Sequence, residues 1–135
     1  MNVDWVIPCR YVEVHDNLGS MIGAGIDTFW IPELPAPLQI LCAVRLTATA
    51  EELQPGVQHA LRTLVTDPHG EVVAEIGAEF EAGADNTQTE WLNSLVLPSV
   101  VQFEVAEAGT YQLEHIVDGN SKSIPLHVIE GTPDA

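Results

Sequence analysis

Val57–Phe80 reads VQHALRTLVTDPHGEVVAEIGAEF and decides the fold. In its second arm Val72, Ala74, Ile76, Ala78 and Phe80 alternate with Glu71, Glu75, Glu79 and Glu81, interrupted by Val73 and Gly77. Successive side chains of a strand point to opposite faces, so this spacing predicts an apolar face backed by a row of carboxylates. A helix would mix the two sets around its circumference. The first arm places Val57, His59, Leu61 and Val65 on one face and Gln58, Arg62 and Thr66 on the other. Asp67-Pro68-His69-Gly70 lies between the arms. Asp bonds the backbone two residues on, Pro presets φ, and Gly accepts positive φ at the end, which together predict a hairpin. A two-stranded ribbon is marginal alone, so its apolar face requires cover from the rest of the chain.

The flanking sequence continues in the same style. Val3–Val14 is expected as one strand, bent at Pro8, with Trp5 and Ile7 on one face and Val12 and Val14 on the other. Asp16–Gly19 is a turn, and Ser20–Ile26 an apolar strand weakened by Gly23 and Gly25. The three prolines of Phe29–Pro37 predict an extended crossover between sheets. Leu38, Ile40, Cys42, Val44, Leu46 and Ala48 then alternate through a long strand. Glu51–Gly56 suits a short helical turn, and Ala82–Thr87 a polar loop carrying Asp85 and Asn86. Thr89–Val96 fits helix or strand, with the balance toward strand-like or irregular structure. Val101, Phe103 and Val105, then Tyr111 to Val117, then Ile124, Leu126 and Val128 give three more strands. Turns at Glu107–Thr110 and Asp118–Ser121 separate them. The sum is an all-β chain of about eight strands. It is expected as an antiparallel β-sandwich of immunoglobulin-like or jelly-roll-like Greek-key type, with a closed small barrel as the alternative. One domain is expected over residues 1–130, with 131–135 as a flexible C-terminal tail.

A set of short motifs carries a family resemblance. NLGSMIGAGID (Asn17–Asp27) leads through the proline-rich bridge into an alternating strand. Pro55-Gly56 with His59 and the Asp67–Gly70 turn follow. Gly109-Thr110-Tyr111, Val117-Asp118-Gly119 and Pro125-Leu126 close the pattern. The whole resembles a family of small uncharacterised bacterial proteins, a domain of unknown function, over nearly the full chain. The resemblance implies a compact β-sandwich and brings no activity, cofactor or catalytic residue with it.

Composition bounds the partners. The 135 residues carry 4 basic and 20 acidic side chains, a net charge of −16 at pH 7, and 46% are hydrophobic. Phosphate binding rests on Lys and Arg, so nucleic acid and anionic membrane surfaces are poor partners. No apolar run approaches the roughly 20 residues of a membrane span, and no signal-peptide pattern opens the chain. A cytoplasmic location is expected, with Cys9 and Cys42 as reduced thiols and Cys42 on an apolar strand face.

Chemical motifs are sparse. Ser20, Ser94, Ser99, Ser121 and Ser123 have no nucleophile-elbow context. His15, His59, His69, His115 and His127 form no HxH or HExxH pair. His59 and His115 share parity with apolar neighbours and are expected in the core, whereas His69 and His127 are expected in solvent. Asp67, Asp85, Asp118 and Asn120 sit in loops and could pool oxygen ligands for calcium at one end of a sandwich, although no DxDxDG spacing exists. Alternate positions along one strand lie about 7 Å apart, a separation glycosidases use, but a flat solvated row is the expected arrangement. Trp5, Phe29, Trp30 and Trp91 are the aromatic candidates for ligand contact, and Trp30 beside the proline bridge is the best placed. Leu41, Val73 and Ile129 fall on outward faces, which favours a homo-oligomer or a protein partner. No catalytic, cofactor or metal residue is assigned. The functional expectation is a non-catalytic cytoplasmic module for protein binding or assembly, with calcium or small-ligand binding at the acidic loop end as the alternative.

Overall fold

A computed structural model describes residues 1–81 and 90–134. Ten strands follow one another: β1 (Asn2–Cys9), β2 (Tyr11–His15), β3 (Leu18–Ile22), β4 (Thr28–Ile31), β5 (Ala36–Ala48), β6 (Gln58–Thr66), β7 (Val72–Glu81), β8 (Asn93–Val105), β9 (Gly109–Val117) and β10 (Asn120–Glu130). They form a three-stranded sheet β1-β5-β8, a five-stranded sheet β4-β10-β9-β6-β7 and a small β2-β3 hairpin. Val44, Leu46 and Val105 from the first sheet share one buried cluster with Val65, Leu113, Val117 and Leu126 from the second. The chain is all-β, as its alternation demanded.

The expectation of about eight antiparallel strands is corrected to ten strands among the described residues, in antiparallel and mixed sheets. Two local readings account for the difference. Val3–Val14 is two strands, because the chain leaves the sheet at Arg10, after Cys9, and not at Pro8. Pro8 stays paired opposite Cys42 on β1, where an edge strand tolerates its missing N–H. The register slips instead between Val3 and Trp5. Inside the expected Phe29–Pro37 connector, Thr28–Ile31 pairs in parallel with His127–Glu130 before the chain crosses to the other sheet. Prolines had argued against a strand there, but they begin at Pro32, beyond β4.

The strand expected over Ser20–Ile26 begins earlier, at Leu18, and ends at Ile22, where Gly23 takes a positive φ of 67°. The expected turns at Asp67–Gly70, Asp16–Asn17 and Asp118–Gly119 are present. Asp67 Oδ1 accepts from the amides of His69 and Glu71, both at 2.9 Å, and the Gly70 amide donates to Asp67 O at 3.0 Å with Gly70 at φ 85°. Asp16 and Asn17 (φ 50° and 60°) and Asp118 and Gly119 (φ 49° and 76°) form two-residue turns with both central residues at positive φ, the geometry that matches strand twist. At Glu51–Gly56 the chain makes turns and no helix. Thr49 and Glu52 bond each other's amides reciprocally, in the manner of a helix cap, at 3.0 and 3.3 Å. Asn93–Val96 is strand and Glu90–Leu92 irregular. The Ala82–Thr87 loop lies outside the described residues.

The hairpin β2-β3 lies over the outer face of β5 and β8. The Asn17 side chain joins it to β8, donating from Nδ2 to Ser94 O at 2.6 Å and accepting at Oδ1 from the Val96 amide at 2.7 Å. One amide thus imitates a strand pairing. Asn17→Ala leaves both backbone groups without that partner and should cost about 1–2 kcal/mol. Faster hydrogen exchange at the Val96 amide is the expected readout, and unchanged protection would count against the assignment.

Candidate functional site: a groove between two open sheet edges

β1 pairs with β5 only as far as Cys9 opposite Leu41. Residues 36–40 of β5 therefore have β8 on one side and no strand on the other. β4 ends the five-stranded sheet, so its far side is open as well. Between these two edges lies a groove of about 550 Å³, lined by Cys9, Arg10, Phe29, Trp30, Leu38 and Leu41 among others. Phe29 and Ile31 turn into the core, whereas Trp30 stands out at 45% exposure opposite Ile129 on β10. Trp30, the aromatic favoured by the sequence, is thus at the groove. Trp91 is exposed elsewhere, and Trp5 lines a separate hollow beside the β2-β3 hairpin.

Asp67 and Asp118 do not pool at one end. β6 and β9 run antiparallel, with Leu61 opposite Val117 and Thr66 opposite Gln112, so Asp67 and Asp118 fall at opposite ends of the sheet. Asp67 is consumed by its own turn. At that end His69 Nε2 pairs with Glu107 Oε1 at 2.7 Å, and this hydrogen bond, with the charge behind it, raises the imidazole pKa. Pro68 packs on Gly109, where a Cβ would come within 2.7 Å of Pro68 Cγ and φ is +141°, so no side chain fits. At the other end Asp118 Oδ2 meets His59 Nδ1 at 3.1 Å and lies 3.4 Å from the Met1 amine, while His59 Nε2 meets Glu52 O at 2.6 Å. The Glu52 carboxylate also binds the Met1 amine, and that hydrogen bond lowers its pKa. Asn120 Nδ2 donates to Met1 O at 2.9 Å. Asp85 lies outside the described residues. Among the described residues no group of three or more His, Cys, Asp or Glu is placed to hold a metal ion.

His59 and His115 are both buried, as their parity predicted. His59 packs against Phe80 with ring centroids 5.7 Å apart. His115 is wholly buried and its Nε2 sits 2.9 Å from Ser99 Oγ, while Nδ1 has no protein partner. Burial pushes its pKa down to about 4. Ser99 also lines a hollow of about 110 Å³ with Leu61, Ile76 and Pro98. Sequence reasoning named both residues separately and missed their contact, because β8 and β9 belong to different sheets and no local motif joins them. In a nucleophile–base pair a third group orients the base, and among the described residues none meets His115 Nδ1.

His127 is half-buried and paired to Thr110 Oγ1 at 3.0 Å; His15 is exposed beside Glu13. Glu71, Glu75, Glu79 and Glu81 are all exposed, and Arg62 Nε and Nη2 reach Glu75 Oε1 at 3.1 and 2.5 Å. The apolar face of β7 is less covered than its alternation implied. Val72 and Ile76 stay exposed on β7, the strand that ends its sheet. Cys9 and Cys42 are free and buried, and burial pushes the Cys42 thiol up to about 12. No helix of the described residues is long and apolar enough to cross a membrane.

A family model described as a family of unknown function, DUF6941, matches residues 4–129. The chain belongs to that family. Its match takes in every strand from β2 to β9, both edges of the groove and the Trp30 position. No curated protein matches the chain.

Proposed function

We propose that this DUF6941 chain is an immunoglobulin-like β-sandwich acting as a non-catalytic module that binds a protein partner through the groove beside β4. Support for the sandwich comes from the two sheets sharing one core and from the corner before β9. There Tyr111 Oη donates to Glu107 O at 2.8 Å, the arrangement of a tyrosine corner, with Tyr111 near the start of its strand. The binding role rests on one observation: two sheet edges face each other across a space lined by Trp30, Phe29, Leu38 and Leu41, with none of the described residues filling it. Exposed aromatic and aliphatic side chains beside a concave surface are what protein interfaces use as anchors. A cytoplasmic setting suits the two free thiols.

A photo-crosslinking amino acid placed at position 30, and separately at position 79 on the glutamate-guarded edge, tests the role in cells. A discrete protein adduct from position 30 and none from position 79 is the expected result. Adducts from position 79 alone, or from neither, would overturn it.

A further inference from the structure

Each sheet edge has a row of backbone donors and acceptors that can template another strand, and folded proteins blunt such edges. Three of the four edges of the two larger sheets are blunted. β1 carries a register slip and Pro8, which has no N–H to offer. β8 has its Ser94 and Val96 groups taken by Asn17. β7 is fronted by exposed Glu75, Glu79 and Glu81. β4 has none of these devices and no charged residue between Thr28 and Ile31.

The backbone of β4 is also correctly turned for pairing. The His127 amide donates to Asp27 O at 2.7 Å and the Gly131 amide to Ile31 O at 2.8 Å. Alternation along a parallel ladder then gives Phe29 to β10 as well, and points the N–H and C=O of Thr28 and Trp30 away from it, toward the open side. Four residues of strand span about 13 Å. The groove beside them, about 550 Å³, falls within the usual size of ligand sites.

Charge identifies the occupant. Asp27, Glu33, Glu130 and Asp134 are exposed and adjoin the groove in sequence, against one lining cation, Arg10. A second copy of the chain would bring another −16 to a rim that is already acidic. We propose that the groove takes an extended segment of a different protein, added as a strand to β4, with an apolar centre over Trp30 and Leu38 and with lysine or arginine on its flanks. This rests on the binding role inferred above and specifies its mode. Main-chain bonds supply affinity in such additions and side-chain pockets supply selectivity.

The test is fluorescence anisotropy on the full chain with a labelled Lys-flanked Val-Thr repeat peptide. Three comparisons accompany it: the same peptide flanked by Glu, peptides N-methylated at one or the other alternate set of amides, and the variant Thr28→Pro, which deletes one outward N–H and none toward β10. Binding of the Lys-flanked peptide is expected, weakened about tenfold or more by Glu flanks and by roughly 0.5 M salt. One set of N-methyl groups should abolish binding and the other leave it intact, and Thr28→Pro should weaken it by a similar factor. Should Thr28→Pro fail to fold, the N-methyl pair still decides the mode. Equal binding of Glu-flanked peptide would overturn the charge assignment, and indifference to both N-methyl sets would overturn strand addition. No binding by any peptide, with the position-30 crosslink intact, would sink this inference and leave the groove as the docking site. Loss of both would sink the groove.

Discussion

Leu113→Ala should lower stability by about 2–5 kcal/mol, whereas Ile76→Ala should cost under about 1 kcal/mol. Both residues sit on apolar, alternating strand faces, and their sequence contexts rank them alike. Their surroundings differ. Leu113 is wholly buried on β9, a central strand, with Val65 opposite on β6 and Ile124 opposite on β10. Truncation there leaves a cavity walled by ladder-bound neighbours on both sides, which cannot collapse to fill it. Ile76 is 48% exposed on the outermost strand, so water already covers much of it. A domain of this size has roughly 5–15 kcal/mol of stability, so Leu113→Ala removes a large part of it. Chemical denaturation of both variants measures the difference, and comparable losses would contradict the placement of β7 at an edge.

Acid should destabilise the fold through His115 before the carboxylates take over. Its native pKa is pushed down to about 4 by burial, against 6.5 when exposed. Above the unfolded value the imidazole is neutral in both states and costs nothing. As pH falls through 6.5 the unfolded chain binds a proton that the native chain refuses, so stability drops with pH, and the loss is complete near pH 4. The full difference is about 3 kcal/mol, of which about 2 is already lost by roughly pH 5. Glu52, whose pKa is lowered by its bond to the Met1 amine, adds a loss in the same direction, but only as pH falls below its ordinary 4.5. The double variant Ser99→Ala with His115→Leu removes the titrating ring together with its hydrogen-bond partner. Between about pH 7 and 5 it should lack the fall of about 2 kcal/mol that His115 gives the parent, while the raised His69 pKa acts on both proteins alike. Parallel slopes for the two proteins would refute the assignment.

What the sequence disclosed follows from how far each signal reaches. Alternation in Leu38–Ala48, in Val57–Phe80 and in Val101–Val128 is a local consequence of burying one face, so strands, parities and turns there were legible. So was the burial of His59 and His115. Three features were not. β4 is four residues long, too short for a period to show, and it is a strand only because Thr28–Ile31 meets His127–Glu130. Whether a strand lies inside a sheet or at its rim depends on strand order, which is why Val72 and Ile76 keep an exposure that their spacing hid. The groove is a gap between residues 28–31 and 36–40, created by the departure of the chain at Arg10. Trp30 could be picked out from its proline neighbours, but the unpaired edges that give it a role could not.

The pairing of β4 with β10 sets a timetable for synthesis. From Thr28 to its partner His127 is 127 − 28 = 99 residues. At translation rates of about 5–20 residues per second, β4 waits roughly 5–20 s for the strand that completes it. Through that interval both sides of β4 lack neighbours, and Trp30 and Phe29 travel uncovered on the nascent chain. β10 therefore closes the five-stranded sheet, and a ribosome stalled before it would hold a chain with Trp30 and Phe29 unguarded.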